Sequence, residues 1–135
     1  MGRMTRTLAI VAVLALLVID IGLRADPITI QVTFVGGSDP VGRRYADALR
    51  HAIEQWPDVS LVQDARTTTL SILLFTTPIE VGTAPATAIA QSVLWHGGGL
   101  PRLLHGSVKV LRMIDVEDAV RQTRFEVVRA MSIPR

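Results

Sequence analysis

Apolar and polar positions change period several times along this chain, and each change marks an element. Residues 8–19, "LAIVAVLALLVI", are apolar without interruption. Residues 27–35, "PITIQVTFV", alternate instead: Ile28, Ile30, Val32 and Phe34 fall on one side, and Thr29, Gln31 and Thr33 on the other. Period two is that of a strand with one buried face. "GGSDP" breaks the alternation; Asp39 is placed to cap a helix, and Pro40 can open it because its missing N–H has no partner to lose there. From Pro40 to about Trp56 the period is helical. Val41, Tyr45, Leu49, Ala52, Ile53 and Trp56 share one face, Arg43, Arg44, Asp47, Arg50 and Glu54 the other, and Pro57 stops the run.

The rest of the chain reads as strands and one more helix. "VSLVQ" at 59–63 is a short strand and "DAR" a turn. "TTTLSILLFTT", 67–77, has an apolar centre at Ile72 to Phe75 and reads as a central strand. "PIEVGTAP", 78–85, reads as a loop, with Pro78, Gly82 and Pro85 as breakers. "ATAIAQSVLW" and "RLLHGSVKVLR" are strands on either side of a glycine run. In the first, Ala86, Ala88, Ala90 and Ser92 share a face whose small side chains are expected to let a helix pack close to the sheet. Asp115 is expected to cap the last helix, with Asp118 in a capping-box-like position. Val116, Ala119, Val120, Thr123, Val127 and Met131 form its apolar stripe, with Arg121, Arg124 and Arg129 solvated. The order β-α-β-β-β-β-α predicts an α+β two-layer sandwich, a mostly antiparallel sheet with both helices on one face.

The apolar run near the N-terminus belongs to a different kind of segment. Arg3 and Arg6 precede it without an acid, it spans 12 residues, and Leu23 and Ala25 stand three and one before a cut between Ala25 and Asp26. That is the plan of an export signal over residues 1–25, leaving 26–135 as one domain. A transmembrane helix needs about 20 apolar residues. If the cut is not made, residues 8–23 serve instead as an inner-membrane anchor with Arg3 and Arg6 on the cytoplasmic side. The expected location is therefore the periplasm or the exterior.

Charge and cysteine content narrow the function classes. The leader holds Arg3, Arg6 and Arg24 against Asp20, so the domain keeps 11 basic and 11 acidic side chains from the chain's 14 and 12. Without a basic excess, nucleic acid is not an expected partner. The absence of cysteine removes disulfides, thiolate nucleophiles and thiolate metal sites, and the fold must rest on burial.

Four patterns invite a chemical reading. His96-Gly97-Gly98-Gly99 matches the glycine-rich oxyanion signature of lipases, but no serine sits in the G-x-S-x-G setting such enzymes use. The glycines read as a chain reversal between two strands, with Leu103 to Leu111 running back along Ala86 to Trp95. "GSDPVGRR" has the glycine spacing of a phosphate loop, yet Arg43 and Arg44 stand where lysine and a hydroxyl residue are needed. What remains is a helix N-terminus at which Arg43 and Arg44 are candidate anion-binding residues. His51, His96 and His105 are spaced as isolated histidines, His96 and His105 roughly 13 Å apart along a hairpin at about 3.3 Å per residue, so no metal site is expected. Asp115, Glu117 and Asp118 complement a helix dipole. Trp56 and Trp95 read as packing residues.

"DPVGRRYADALRHAIEQWPDVSLV", 39–62, with its D-P-V-G-x-R helix start between two strands, resembles the opening of small exported bacterial proteins of an uncharacterised family. The general plan is also similar to that of the N-terminal domain of TolB. The resemblance implies export and an α/β fold and carries no site residues. The expectation is a small envelope domain that binds a protein partner, through a sheet edge beside "VSLVQ" or at the glycine hairpin, with no catalytic residue and no cofactor. Two alternatives stand beside it: a small serine hydrolase using Ser107 with His96 or His105, and a membrane-tethered envelope accessory subunit.

Overall fold

A computed structural model describes residues 26–132; the expected export signal, including the Ala25 side of the expected cut, lies outside them, and Asp26 is exposed. Strand β1 (Ile28–Val35) is followed by helix α1 (Pro40–Glu54) and strands β2 (Val59–Leu61), β3 (Leu70–Val81), β4 (Ala84–Trp95) and β5 (Arg102–Arg112). A 3-10 turn, Met113–Asp115, leads into helix α2 (Val116–Ser132). The sheet order is β2-β1-β3-β4-β5. β1 pairs in parallel with β2 and β3, and the two long hairpins β3-β4 and β4-β5 are antiparallel. This is the α+β sandwich the sequence predicts, with both helices on one face.

The core explains that arrangement. Ile30 and Val32 of β1, Leu70, Ile72 and Leu74 of β3, and Ile89 and Val93 of β4 point to one side of the sheet. They meet Val41, Tyr45, Leu49 and Ile53 of α1 and Val116, Ala119, Val120 and Val127 of α2. Complete burial of each large aliphatic side chain contributes about 1.5–3 kcal/mol, so this shared layer holds all the elements together. Trp56 closes the end of α1 under the guanidinium of Arg124, 5.9 Å from the ring.

Two expectations are corrected. Residues 78–85 are not a loop: β3 runs on to Val81, and a two-residue turn with Gly82 at φ 67° returns the chain as β4. Pro78 and Pro85 fit there because β1 ends opposite Phe75 and β5 ends opposite Ala86, so each proline sits where its strand has lost a neighbour. The second correction concerns the small-residue face. Ala86, Ala88, Ala90 and Ser92 do not receive a helix; the helices pack on Thr87, Ile89, Gln91 and Val93, and the small residues line the opposite, open face. Ile89 and Val93 are the larger apolar residues, and their burial outweighs the polarity of Gln91 between them.

Local signals at the helix starts hold with one change. Asp39 caps α1, accepting from the Gly42 N–H at 3.0 Å and from the Thr87 hydroxyl of β4, and so ties the helix to the sheet. Asp115 acts one turn earlier than expected, accepting from the backbone and side chain of Arg112, while Asp118 pairs with Arg121.

Burial pushes the Asp39 carboxyl up, but the hydrogen bonds from Gly42 and Thr87 prevail and hold it below the usual carboxylate value. A depressed carboxylate contributes stability that is complete above its unfolded value near pH 4 and is lost as pH falls through the lower folded value. Asp39→Asn should therefore be less stable at pH 7, and lose less of its stability between pH 4 and pH 2 than the parent does. Urea midpoints across that range check it; parallel losses in the two proteins would contradict it.

Candidate functional site

The densest chemistry lies between β4, β5 and α2. Alternation along β5 places His105, Ser107 and Lys109 toward the helices, and the helical period of α2 brings Thr123 and Glu126 over them. The Tyr45 hydroxyl of α1 donates to Gln91 Oε1 at 2.7 Å and lies 2.6 Å from Thr123 Oγ1. Gln91 Nε2 donates to Glu126 at 3.1 Å. Lys109 Nζ donates to Thr123 at 3.3 Å and to Glu126 at 3.4 Å. Each member satisfies a polar group that the core would otherwise strand, which is the condition for burying such a network. The Lys109 and Glu126 side chains are only 13% and 14% exposed, so removing one charge strands the other.

Two polar atoms remain available at the outer end of this network. His105 Nε2 lies 3.6 Å from Glu126 Oε2, too long for a hydrogen bond, and both that nitrogen and Ser107 Oγ are buried without one. A groove of about 360 Å³ opens beside them, lined by Leu104, His105, Glu126, Arg129 and Ala130. The larger cleft, about 620 Å³ between the start of α1 and the β3-β4 turn, has Glu80 as the ionisable residue of its lining and offers no acid–base pair.

The glycine run is the reversal between β4 and β5, with Gly98 and Gly99 at φ 115° and 114°, a region closed to other residues. Leu94 pairs with Leu103 and Thr87 with Leu111, as the sequence predicts. His96 and His105 lie on opposite faces of the sheet, so it is the pleat more than the distance that separates them. His96 Nε2 is 2.7 Å from the hydroxyl of Ser71 in β3. Ser71 is 4% exposed, and among the described residues no carboxylate hydrogen-bonds to His96, so the pair lacks an open nucleophile and an orienting acid. Ser107 faces the helices on the same side as His105 and hydrogen-bonds to neither histidine.

The arginines at the start of α1 are engaged within the domain. Arg43 Nη2 donates to the Gly37 carbonyl at 2.9 Å and lies over the Phe34 ring, and Arg44 pairs with Glu117 of α2 at 3.3 Å. The helix N-terminus already holds an anion in the Asp39 carboxylate. His51 is on the solvated side of α1, 3.7 Å from Glu54. Among the described residues no three histidine, aspartate or glutamate side chains gather to hold a metal ion.

The network itself does not stand out in the sequence. Its signal is the period-two triplet His105, Ser107, Lys109 on β5, which faces the helices.

No family model matches the chain, and no curated protein does. Among solved structures, a hypothetical protein from Chlamydia trachomatis, CT253, is similar over 64% of this chain and 72% of its own, at 6% identity and a TM-score of 0.43.

Tyr45 is the chain's one tyrosine, so its titration is directly readable. Burial raises its phenol to about 12, against the lowering effect of the Thr123 hydrogen bond and with a further rise from the Glu126 charge. A raised folded value means stability that is complete below pH 10 and is lost as pH climbs toward 12. Phenolate absorbance should thus appear near pH 12 in the native protein and near pH 10 in urea; a native midpoint near 10 would place Tyr45 in water.

Proposed function

We propose that this chain is an exported binding module of the cell envelope, acting without catalysis, that takes up an extended segment of a protein partner along the free edge of β5. The observation that carries the reading is the edge itself. Among the described residues β5 pairs over its length with β4 and has no strand on its other side, whereas the opposite edge, β2, offers three residues. An open strand edge presents a row of unpaired N–H and C=O groups, and adding a strand satisfies them.

Side-chain chemistry along the edge favours an acidic occupant. Arg102 and Arg112 stand at the two ends of β5, Arg112 also pairing with Asp115, and the strand has no carboxylate, while His105 and Lys109 between them face Glu126 on the helix side. Val108 and Val110 alternate with the polar positions and favour apolar residues at every second place of the added strand. Export rests on the arginine-flanked apolar leader and the Ala25–Asp26 junction; among the described residues no helix is long and apolar enough to cross a membrane. Retention of residues 8–23 as an anchor gives the same module as a tethered subunit.

The test uses a fluorescent decapeptide of alternating glutamate and valine. Its anisotropy should rise on mixing with the protein, amide exchange should slow along 102–112, and Arg102→Glu with Arg112→Glu should weaken binding about tenfold or more, an effect that salt reduces. Binding that leaves the exchange of β5 unchanged, or no binding at low salt, would overturn the proposal.

A further inference from the structure

The groove beside His105 opens on the same side of the molecule as the free edge of β5. One flank of α2 faces α1, with Glu117 on Arg44 and Arg124 over Trp56. Glu126 and Arg129 fall on the other flank by helical period, where they line the groove with Ala130 and with Leu104 and His105 of β5. A strand added to β5 lies about 4.8 Å beyond it, so every second side chain of that strand rises beneath this flank of α2. The charges in the groove are unequally committed. Glu126 is 14% exposed and has Lys109, Gln91 and His105 around it. Arg129 is exposed and, among the described residues, has no ion pair or hydrogen bond, because the acid one turn before it, Glu126, is turned under the helix to Lys109. Arg102, on the helix side opposite Trp95, is a second cation at this end without an ion pair among the described residues.

A bulge in β5 sets the register. Leu94 pairs with Leu103 and Val93 with His105, so Leu104 is the extra residue, and it lines the groove. Regular pairing with β4 runs from His105 to Arg112, and a strand that follows this stretch from the edge ends its ladder opposite His105. We infer that the groove is the anchor pocket for the segment that adds to β5, and that it takes a glutamate side chain at the place opposite His105. The methylenes of that glutamate rest on Leu104 and Ala130, and its carboxylate meets the Arg129 guanidinium, whose planar fork matches a carboxylate. This rests on the edge reading and adds to it a position and a direction. Antiparallel ladders are the more stable per residue, so the segment runs against β5 and carries its anchor at its C-terminal end. The residues that alternate with the helix-side positions then fall opposite Gly106, Val108 and Val110 on the open face, where valine fits.

Three octapeptides, fluorescent at the N-terminus and amidated at the C-terminus, test the anchor. Each alternates valine and threonine from a first valine; in the first peptide the eighth residue is glutamate, in the second it is glutamine, and in the third the glutamate stands at the second position instead. The first should bind the parent protein about tenfold more tightly than either of the others, with amide exchange slowed along 105–112. Arg129→Gln should bring the first peptide down to the level of the second and leave the second unchanged, and Arg129→Lys should restore part of the preference. Arg129 is exposed, so circular dichroism should not change in either variant. If β5 is protected but the first and second peptides bind equally, the third binds most tightly, or the preference survives Arg129→Gln, the edge reading stands and the anchor is overturned. No binding by any of the three, or binding that leaves β5 unprotected, overturns both.

Discussion

The Tyr45 hydroxyl sets the asymmetry of this molecule. It reaches Gln91 in the middle of β4 and Thr123 in the middle of α2, so one buried phenol joins α1, the sheet and α2. Apolar burial is non-directional, and two of the sheet's strands are apolar on both sides; burial alone does not decide which side the helices take. A buried amide and two buried hydroxyls do decide it, because on the wrong face each would be left without a partner, at about 1–3 kcal/mol apiece.

That commitment leaves a molecule with one finished layer and one open one. Lys109 and Glu126 extend the junction toward the edge, consuming the charged residues of β5 on the helix side. The valines of the same strand are thereby turned out, beside the alanine floor of β4. The polar junction and the apolar open face are two sides of one choice of pleat. Asp39 repeats the device at the other end of the sheet, where its carboxylate links the start of α1 to Thr87.

Most of the architecture is legible in the residues. The Pro40 helix start, the glycine reversal and the pairing of Leu103 to Leu111 with the preceding strand all follow from capping, turn chemistry and period. Side choice is not legible in the same way. For β4 the small residues at 86, 88, 90 and 92 suggest a helix-packing face, and it takes the partnership of Gln91 with Tyr45, 46 residues away, to reverse that. The same limit hides the site, since nothing in the period of His105, Ser107 and Lys109 shows that Glu126 is brought over them. The strand through Pro78 and Pro85 is hidden for another reason: whether a proline is tolerated depends on where neighbouring strands end, which is a property of the sheet.

If the Tyr45 junction commits the helices to their face, its members must act as a unit. A double-mutant cycle of Tyr45→Phe and Thr123→Val, read by urea denaturation at pH 7, measures this directly. The two substitutions should couple by about 1 kcal/mol or more, the double variant losing less than the two single losses together. Additivity to within about 0.3 kcal/mol would mean that the phenol and the threonine contribute independently, and that the open face owes nothing to them.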